Sequence, residues 1–179
     1  LKLSRGLGDV YKRQIKNSDG HSEILNLAEK LNIPIIMSPG HGDAISFSHP
    51  LNAGQMGPRG NIVASRLAKE ADLILALGTR LGFNSTFYSY DNINVNASII
   101  QVELEPTALG RYFPISLGIW GDAKQISTQI CDFVDKLRFT SEVNNWTKNF
   151  QDERKVYLIN RDLKACLLYT SDAADDDAC

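Results

Sequence analysis

The fold is decided by the stretch Ala71-Asp72-Leu73-Ile74-Leu75-Ala76-Leu77-Gly78-Thr79-Arg80-Leu81-Gly82. Five of the six residues from Leu73 to Gly78 are apolar, which is too short for a membrane span and suits a strand buried on both faces. The run ends in Gly-Thr-Arg-Leu-Gly, where two glycines allow close approaches that other residues resist. Because open α/β sheets bind ligands at the carboxyl ends of such strands, the stretch predicts a central strand with a ligand-binding edge. The alternative is a core strand and an ordinary tight turn.

The composition is that of one globular domain. The chain has 179 residues, of which 43% are hydrophobic and 22% charged, and its formal net charge is −2. It lacks the basic excess typical of nucleic-acid-binding proteins, and no apolar run reaches the roughly 18 residues of a membrane span. The three cysteines, Cys131, Cys166 and Cys179, show neither a metal-ligand spacing nor a disulfide framework. We therefore expect a cytoplasmic protein without a nucleic-acid or membrane partner.

Both ends of the chain differ in character from the interior. Residues 1–14 and 165–179 resemble translated sequencing-adaptor read-through, and neither shows a period that continues into the neighbouring sequence. We expect both to be non-native and poorly structured, which leaves residues 15–139 as the domain and residues 140–164 as a helical linker leading away from it. The first strand of the sheet is then missing or replaced, and its neighbour gains an unpaired edge that favours association.

The first half of the interior predicts a helix, a strand and a second helix. Ser22 is a candidate N-cap for a helix with apolar residues at helical spacing up to Leu31, and Ile35–Ser38 is a short extended run. Residues 43–60 have the composition of a loop. Asn61 is a candidate N-cap for the second helix. The apolar stripe of that helix consists of Val63, Ala64, Leu67, Ala68 and Ala71.

The second half predicts two more strands and a long helix. Residues 98–104 and 115–119 are short apolar runs typical of strands, and Asp122 with Gln125 three residues later forms a capping-box pattern. Cys131 is expected to be a small packing residue at the edge of the helix's inward face. That face is predicted to consist of Ile126, Ile130, Phe133, Val134 and Leu137. Because strands alternate with helices, we predict the α/β class: a Rossmann-like three-layer domain with a mostly parallel sheet.

Polar residues and glycines follow each predicted strand. They are Ser38, the segment 78–82, Glu103 and Gly121-Asp122. Since the carboxyl ends of parallel strands meet at one edge of the sheet, these residues predict a nucleotide-sized groove. Glu103 is placed to accept hydrogen bonds from ribose hydroxyls; the alternative is a solvated glutamate at a strand end.

A second glycine pattern precedes Asn61. Gly54, Gly57 and Gly60 recur every third residue before the helix start, where backbone N–H groups are suited to face an anion. The spacing matches neither the dinucleotide fingerprint nor the Walker loop, so a structural turn is the stronger interpretation from spacing alone. His41 and His49 have no third ligand in the nearby sequence, and we expect no metal site there.

Five motifs, considered together with their order and spacing, resemble the pattern of a known protein family. They are His49-Pro50-Leu51, Gly54-x-x-Gly57-x-x-Gly60, Leu77-Gly78-Thr79-Arg80, Ile99-Ile100-Gln101-Val102-Glu103 and Gly118-x-x-Gly121-Asp122-Ala123. In this order and spacing, over residues 22–137, they resemble the central domain of thiamine-diphosphate-dependent enzymes of the acetolactate synthase group. The runs 76–82 and 116–124 look most like those of the sulfoacetaldehyde acetyltransferases. The resemblance implies a parent that converts sulfoacetaldehyde and phosphate to acetyl phosphate and sulfite, with an acetolactate synthase-like reaction as the alternative.

This resemblance implies a larger enzyme with three α/β domains. Its members bind thiamine diphosphate and Mg between the first and third domains, across a dimer interface, with an activating glutamate in the first domain and a Gly-Asp-Gly motif in the third. Gly121-Asp122-Ala123 matches the central domain's own Gly-Asp instead. We therefore expect no catalytic or metal-binding residue here, partners in the N- and C-terminal domains of the same polypeptide, a homodimeric or homotetrameric parent, and an inert isolated chain.

The central domain binds FAD in some members of the group and an adenine nucleotide in others. Arg80 is the implied partner of a diphosphate, because its planar fork makes two directed, charge-assisted hydrogen bonds. The sequence 81–84 departs from FAD-binding members, which carry an acidic-rich stretch there, and the acetyltransferase-like members are not expected to use FAD. A vestigial groove with a structural Arg80 is thus an equal alternative. The positions that match the groove are Ser38, Pro39, Met56, Gly57, Gly78, Thr79, Arg80, Glu103, Gly121 and Asp122.

Two competing functions follow from the same sequence. A stand-alone nucleotide-binding module without chemistry would also place these residues at the strand ends. A sirtuin-type deacylase shares the sheet architecture but needs a zinc site of four cysteines, which this sequence does not provide.

Overall fold

The computed structural model describes residues 7–11, 18–40, 45–57, 60–137 and 144–170, with the backbone alone for 7–11, 144 and 165–170. The strands are β1 (Leu7–Tyr11), β2 (Ile35–Met37), β3 (Asn52–Gln55), β4 (Leu73–Leu77), β5 (Ser98–Glu103) and β6 (Leu117–Trp120). The helices are α1 (His21–Leu31), α2 (Ile62–Glu70), α3 (Phe83–Thr86), α4 (Ala123–Leu137) and α5 (Asn144–Thr170), with a 3₁₀ turn at Pro106–Ala108. Within these residues, no helix has the length and apolarity that crossing a membrane requires.

All six strands form one parallel sheet in the order β3-β2-β1-β4-β5-β6. The strand order reverses between β1 and β4, which is the switch point where doubly wound sheets open a crevice at the carboxyl edge. The predicted central strand, β4, is buried along its whole length. The predicted α/β class and parallel sheet are therefore confirmed.

The place of the first strand is filled by residues that the sequence marked as non-native. In β1, Asp9 pairs with Ile35 of β2 on one side and with Leu75 of β4 on the other. The expected unpaired edge is therefore wrong. A parallel strand is held in a sheet by backbone hydrogen bonds, which do not depend on side-chain identity. The non-native origin of residues 1–14 and 165–179 stays a prediction, although residues 7–11 and 165–170 lie in regular elements.

Two apolar layers enclose the sheet. One face packs against α1 and α4 in a cluster that includes Ile24, Leu75 and Cys131. The other face packs against α2 and α5 in a cluster that includes Leu67 and Phe150. Alternating residues of β4 point to the two clusters, which gives the predicted three-layer arrangement.

Two of the three predicted helix caps are confirmed, and one is wrong. The Asn61 side chain accepts a hydrogen bond from the Ala64 N–H at 3.0 Å, and Asp122 accepts from the N–H groups of Lys124 and Gln125, so both predicted caps are confirmed. The Ser22 cap is wrong, since α1 begins after Gly20 and the Ser22 hydroxyl donates to the Glu23 carboxylate within the helix.

Three elements differ from the expectations. Residues 43–60 were expected to be a loop, yet 52–55 form the buried strand β3 at the end of the sheet. The α4 face predicted to point inward is wrong for Phe133 and Leu137, which are 63% and 73% exposed, because α4 packs on α1 through Ala123 and Cys131. The helix expected to lead away from the domain instead packs back on α2, with Phe150 fully buried.

Candidate functional site

The carboxyl edge of the sheet carries every predicted groove residue. Ser38 and Pro39 follow β2, Met56 and Gly57 follow β3, the segment 78–80 follows β4, Glu103 ends β5, and Gly121-Asp122 follow β6. The parallel strands thus place all ten residues at one edge, as the sequence predicted. Their roles in ligand binding stay a prediction. The surroundings of their side chains divide most of these residues into three groups.

The first group is a buried hydroxyl cluster that joins the loops after β2 and β4. The hydroxyl oxygens of Ser38 and Thr79 lie 3.4 Å apart, and the Ser85 hydroxyl donates to Ser38 at 3.2 Å. Thr79 also accepts from the Leu81 N–H at 3.3 Å, while its carbonyl accepts from the buried Gln101 amide at 2.9 Å. Since all of these side chains are buried, their hydrogen bonds fix the loop conformations beneath the groove.

The second group lines an open cavity of about 240 Å³ directly above that cluster. Ser38, Pro39 and Arg80 are the predicted groove residues that contribute to its wall. Arg80 is exposed, and among the described lining residues it is the only member of the Asp, Glu, Lys, Arg and His types. Its guanidinium therefore offers a positive group to whatever enters the cavity.

One side of the cavity is formed by aromatic residues that were not among the predicted site residues. Tyr88 and Tyr112 line it with ring centroids 4.5 Å apart, and Phe83 lies 5.7 Å from Tyr88. A hydrogen bond with Tyr112 raises the pKa of Tyr88, with burial a smaller contributor, so the phenol stays protonated at neutral pH. The aromatic-rich composition of residues 83–96 was the available signal, but it does not specify which rings face the strand ends.

Tyr88 of this aromatic side and two residues near it in the chain have a strained backbone. Phe87 and Tyr88 are consecutive non-glycine residues with φ of 53° and 56°, and Leu81 has φ of 49°. Side-chained residues adopt this left-handed region at an energetic cost and commonly do so at functional sites. The Thr86 hydroxyl accepts from the Tyr88 N–H at 3.1 Å and thereby holds the turn.

The residues of the third group do not line the cavity. Glu103 is buried, and its carboxylate accepts from the adjacent Leu104 N–H at 3.1 Å. Asp122 is engaged as the cap of α4. Gly57 is in close contact with α3, because a Cβ added to Gly57 would lie 2.4 Å from the Asn84 carbonyl oxygen. Met56 lies in the apolar core. The positions of these residues are explained by packing and capping.

The residues present do not fit thiamine diphosphate or its metal. Within the described part of the chain, no group of three or more His, Cys, Asp or Glu side chains is placed to bind a metal ion. The carboxylate of Asp122, in the Gly121-Asp122 motif after β6, caps α4. The Arg80 side of the cavity combines an exposed guanidinium with hydroxyl and amide groups.

The sequence is similar to that of a known protein family. Residues 11–130 match the family described as thiamine pyrophosphate enzyme, central domain. The chain is 38% identical over 128 residues to a sulfoacetaldehyde acetyltransferase of Castellaniella defragrans, covering 70% of this chain and 21% of that protein. It is 42% identical over 130 residues to a probable sulfoacetaldehyde acetyltransferase of Rhizobium meliloti, covering 72% and 21%.

An acetolactate synthase large subunit of Buchnera aphidicola subsp. Schlechtendalia chinensis is 31% identical over 168 residues, covering 90% of this chain and 29% of that subunit. The chain thus spans about a fifth of the length of the acetyltransferases it matches. These matches favour a domain of an enzyme over a stand-alone nucleotide-binding module. The chain belongs to the family of thiamine pyrophosphate enzymes and represents their central domain.

Proposed function

We propose that the complete protein is a thiamine-diphosphate-dependent acyltransferase that uses sulfoacetaldehyde and phosphate and releases acetyl phosphate and sulfite. The identity of 38–42% to sulfoacetaldehyde acetyltransferases carries this proposal. The 31% identity to an acetolactate synthase subunit is lower. Thiamine diphosphate and Mg would be held by parts of the polypeptide outside this chain, in a cytoplasmic homodimer or homotetramer.

The role of this chain in that enzyme is structural support and anion recognition. The parallel sheet holds the Ser38–Thr79 cluster in a fixed position, and Arg80 lies above it at the rim of the cavity. We propose that Arg80 binds the diphosphate of an adenine nucleotide such as ADP, with Ser38 and Asn84 as further hydrogen-bonding groups. The volume of about 240 Å³ suits part of such a ligand, since pockets that enclose drug-sized ligands measure roughly 300–1,000 Å³. A whole FAD molecule would project from it.

The reaction is tested on the protein from the complete reading frame. The purified enzyme is incubated with thiamine diphosphate and Mg, with sulfoacetaldehyde plus phosphate in one assay and pyruvate in the other. Acetyl phosphate formation that requires thiamine diphosphate supports the proposal. Acetolactate formation from pyruvate, without acetyl phosphate in the first assay, would replace it with the synthase reaction.

The nucleotide groove is tested separately by calorimetric titration of ADP and FAD into the 179-residue chain. ADP binding that is lost in Arg80→Gln and kept in Lys69→Gln, an exposed lysine on α2, supports the groove. If neither nucleotide binds at millimolar concentration, the groove is vestigial and Arg80 has another role. That result leaves the proposed reaction intact.

A further inference from the structure

The two halves of α5 have different surroundings. In the amino half, Phe150 and Arg154 are buried, and Tyr157 packs against the apolar cluster on this face of the sheet. All side chains from 159 to 164 are exposed, although the Arg161 guanidinium still lies over the Phe47 ring. The amino half of α5 is thus packed on the domain, whereas residues 159–164 face solvent.

Three apolar residues form a stripe on the solvent side of this helix, which we call the α5 stripe. Val156, Ile159 and Leu163 are 58%, 60% and 58% exposed, and none of them belongs to either apolar cluster of the described structure. Their spacing of three and four residues places them on one side of the helix, over about 10 Å of its length. Single exposed apolar residues are common, but a stripe with this spacing is the surface through which a helix packs on a neighbour.

The α5 stripe lies where the described part of the domain provides no packing for it. Most of the stability of a protein helix comes from the packing of an apolar face and not from intrinsic propensity. Apolar side chains also gain free energy when they leave water. Both effects favour contact between the stripe and a further apolar surface.

The relatives indicate where such a surface is located. The aligned region of the acetolactate synthase subunit covers 90% of this chain, so it cannot leave out Val156 and Ile159. The middle of α5 is therefore part of the sequence that this chain shares with a longer enzyme. Because the chain spans only 21–29% of the acetyltransferases and the synthase subunit, most of each of those proteins lies outside the matched region.

Two other occupants suit the α5 stripe less well. Stable interfaces between separate proteins bury roughly 800 Å² on each partner, and three side chains over about 10 Å of helix offer only part of such an area. Helices that lie on membranes carry mainly Lys and Arg on their polar face, whereas Asp152 and Asp162 accompany the basic residues of α5. A domain of the same polypeptide is tethered, so its high effective concentration allows docking on a small surface.

We propose that the α5 stripe is the surface on which another domain of the complete polypeptide docks, through an apolar face of its own. α5 then joins two domains, because Phe150 fixes its amino half in this domain and Ile159 lies at the centre of the contact with the next one. The inference goes beyond the proposed reaction. It rests only on the complete protein being a multidomain enzyme, whichever substrate that enzyme uses.

Hydrogen exchange measured by mass spectrometry tests the docking in the complete protein and in the 179-residue chain. We expect the amides of residues 158–164 to exchange at least roughly tenfold more slowly in the complete protein, because docking hinders local opening of the helix. Peptides from residues 147–154 are the internal reference, and they should exchange slowly in both proteins because Phe150 is buried. The protection of 158–164 should not depend on protein concentration.

Two neighbouring substitutions on α5 introduce the same charge. Ile159→Asp places a carboxylate in the stripe and should reduce the protection of 158–164 in the complete protein by roughly tenfold or more, since an unpaired charge in an apolar contact is costly. Asn160→Asp, at the next exposed residue and about 100° around the helix, should change it by less than about twofold. In the 179-residue chain neither substitution should alter the exchange of this segment, because both side chains are exposed.

Equal exchange of residues 158–164 in the two proteins overturns the proposal, as does an equal effect of the two substitutions in the complete protein. Protection that rises with protein concentration assigns the stripe to a second copy and also overturns it. Acetyl phosphate formation is measured on the same samples. An active enzyme with an unprotected segment 158–164 refutes the docking surface and leaves the proposed reaction intact.

Discussion

The Ser38 hydroxyl, after β2, lies 3.4 Å from the Thr79 hydroxyl, after β4, although the whole of β1 separates these strands in the sheet. The two loops therefore meet over the end of β1, at the point where the strand order reverses. Both side chains are buried, and Ser38 lines the same cavity as Arg80. This contact fixes the floor of the candidate site.

Thr79→Val tests the importance of this contact. Valine keeps the shape but removes the acceptor for the Leu81 N–H and the partner of Ser38, so the free energy of unfolding should fall by about 1–3 kcal/mol. Thr128→Val, at an exposed position of α4, should change it by less than about 0.5 kcal/mol. Urea unfolding of the two variants gives the comparison, and equal effects would contradict a structural role for the cluster.

Gly57→Ala tests the close approach of the loops after β3 and β4. The new Cβ would lie 2.4 Å from the Asn84 carbonyl oxygen, and the residue would also have to adopt φ of +97°. Gly40→Ala has a similar φ of +87° but no atom within 4 Å, so it isolates the backbone strain. We expect Gly40→Ala to cost about 1 kcal/mol and Gly57→Ala clearly more. Similar losses in thermal unfolding would show that the Asn84 contact is not as close as described.

Phe150→Ala tests whether α5 is an integral part of the domain. Phe150 is fully buried against the layer of α2, and its truncation should destabilise the chain by about 3–5 kcal/mol. Phe133→Ala, at a residue 63% exposed on α4, should cost far less and serves as the matched control. If the two substitutions had the same effect on urea unfolding, α5 would be a helix leading away from the domain.

Cys131 should be a poorly reactive thiol. Burial raises its pKa, with the nearby Lys30 charge opposing and two aspartates adding to the effect, so the thiolate fraction is small at neutral pH. In a variant with Cys166 and Cys179 replaced by serine, reaction with a disulfide reagent should be slow when folded and fast in denaturant. Because the folded pKa is raised, the stabilisation by the neutral thiol is complete below the ordinary thiol pKa and is lost as pH rises above it. Fast modification of the folded chain at pH 7 would contradict this.

Much of the fold was predictable because apolar runs and caps are local signals. The stretch 73–77 and the run that follows residue 98 could be assigned from composition, and Asn61 and Asp122 from their positions before helices. β3 gave no such signal, because Asn52-Ala53-Gly54-Gln55 contains no β-branched or aromatic residue. Its strand is stabilised by tertiary contacts instead, including the Asn52 amide, which donates to the Ile45 and Ser46 carbonyls.

Tertiary packing also explains why the predicted inward face of α4 was wrong in part. Phe133 and Leu137 fit a helical apolar stripe, but α4 uses the small residues Ala123, Ser127 and Cys131 to approach α1 closely. The expectation that ligand-binding residues follow the carboxyl ends of parallel strands correctly predicted that Ser38 and Arg80 lie at this edge of the sheet. It could not show that Asp122 caps a helix or that Tyr88 and Tyr112 supply the opposite wall, because side-chain direction depends on loop conformation.

The central claim is that this chain is the supporting domain of a thiamine-dependent enzyme whose chemistry lies elsewhere in the polypeptide. The most direct test compares acetyl phosphate formation by the complete protein and by the 179-residue chain, each with sulfoacetaldehyde, phosphate, thiamine diphosphate and Mg. We predict cofactor-dependent product from the complete protein and none above background from the chain alone. Turnover by the chain alone, or a complete protein whose activity is unchanged without thiamine diphosphate, would contradict the claim.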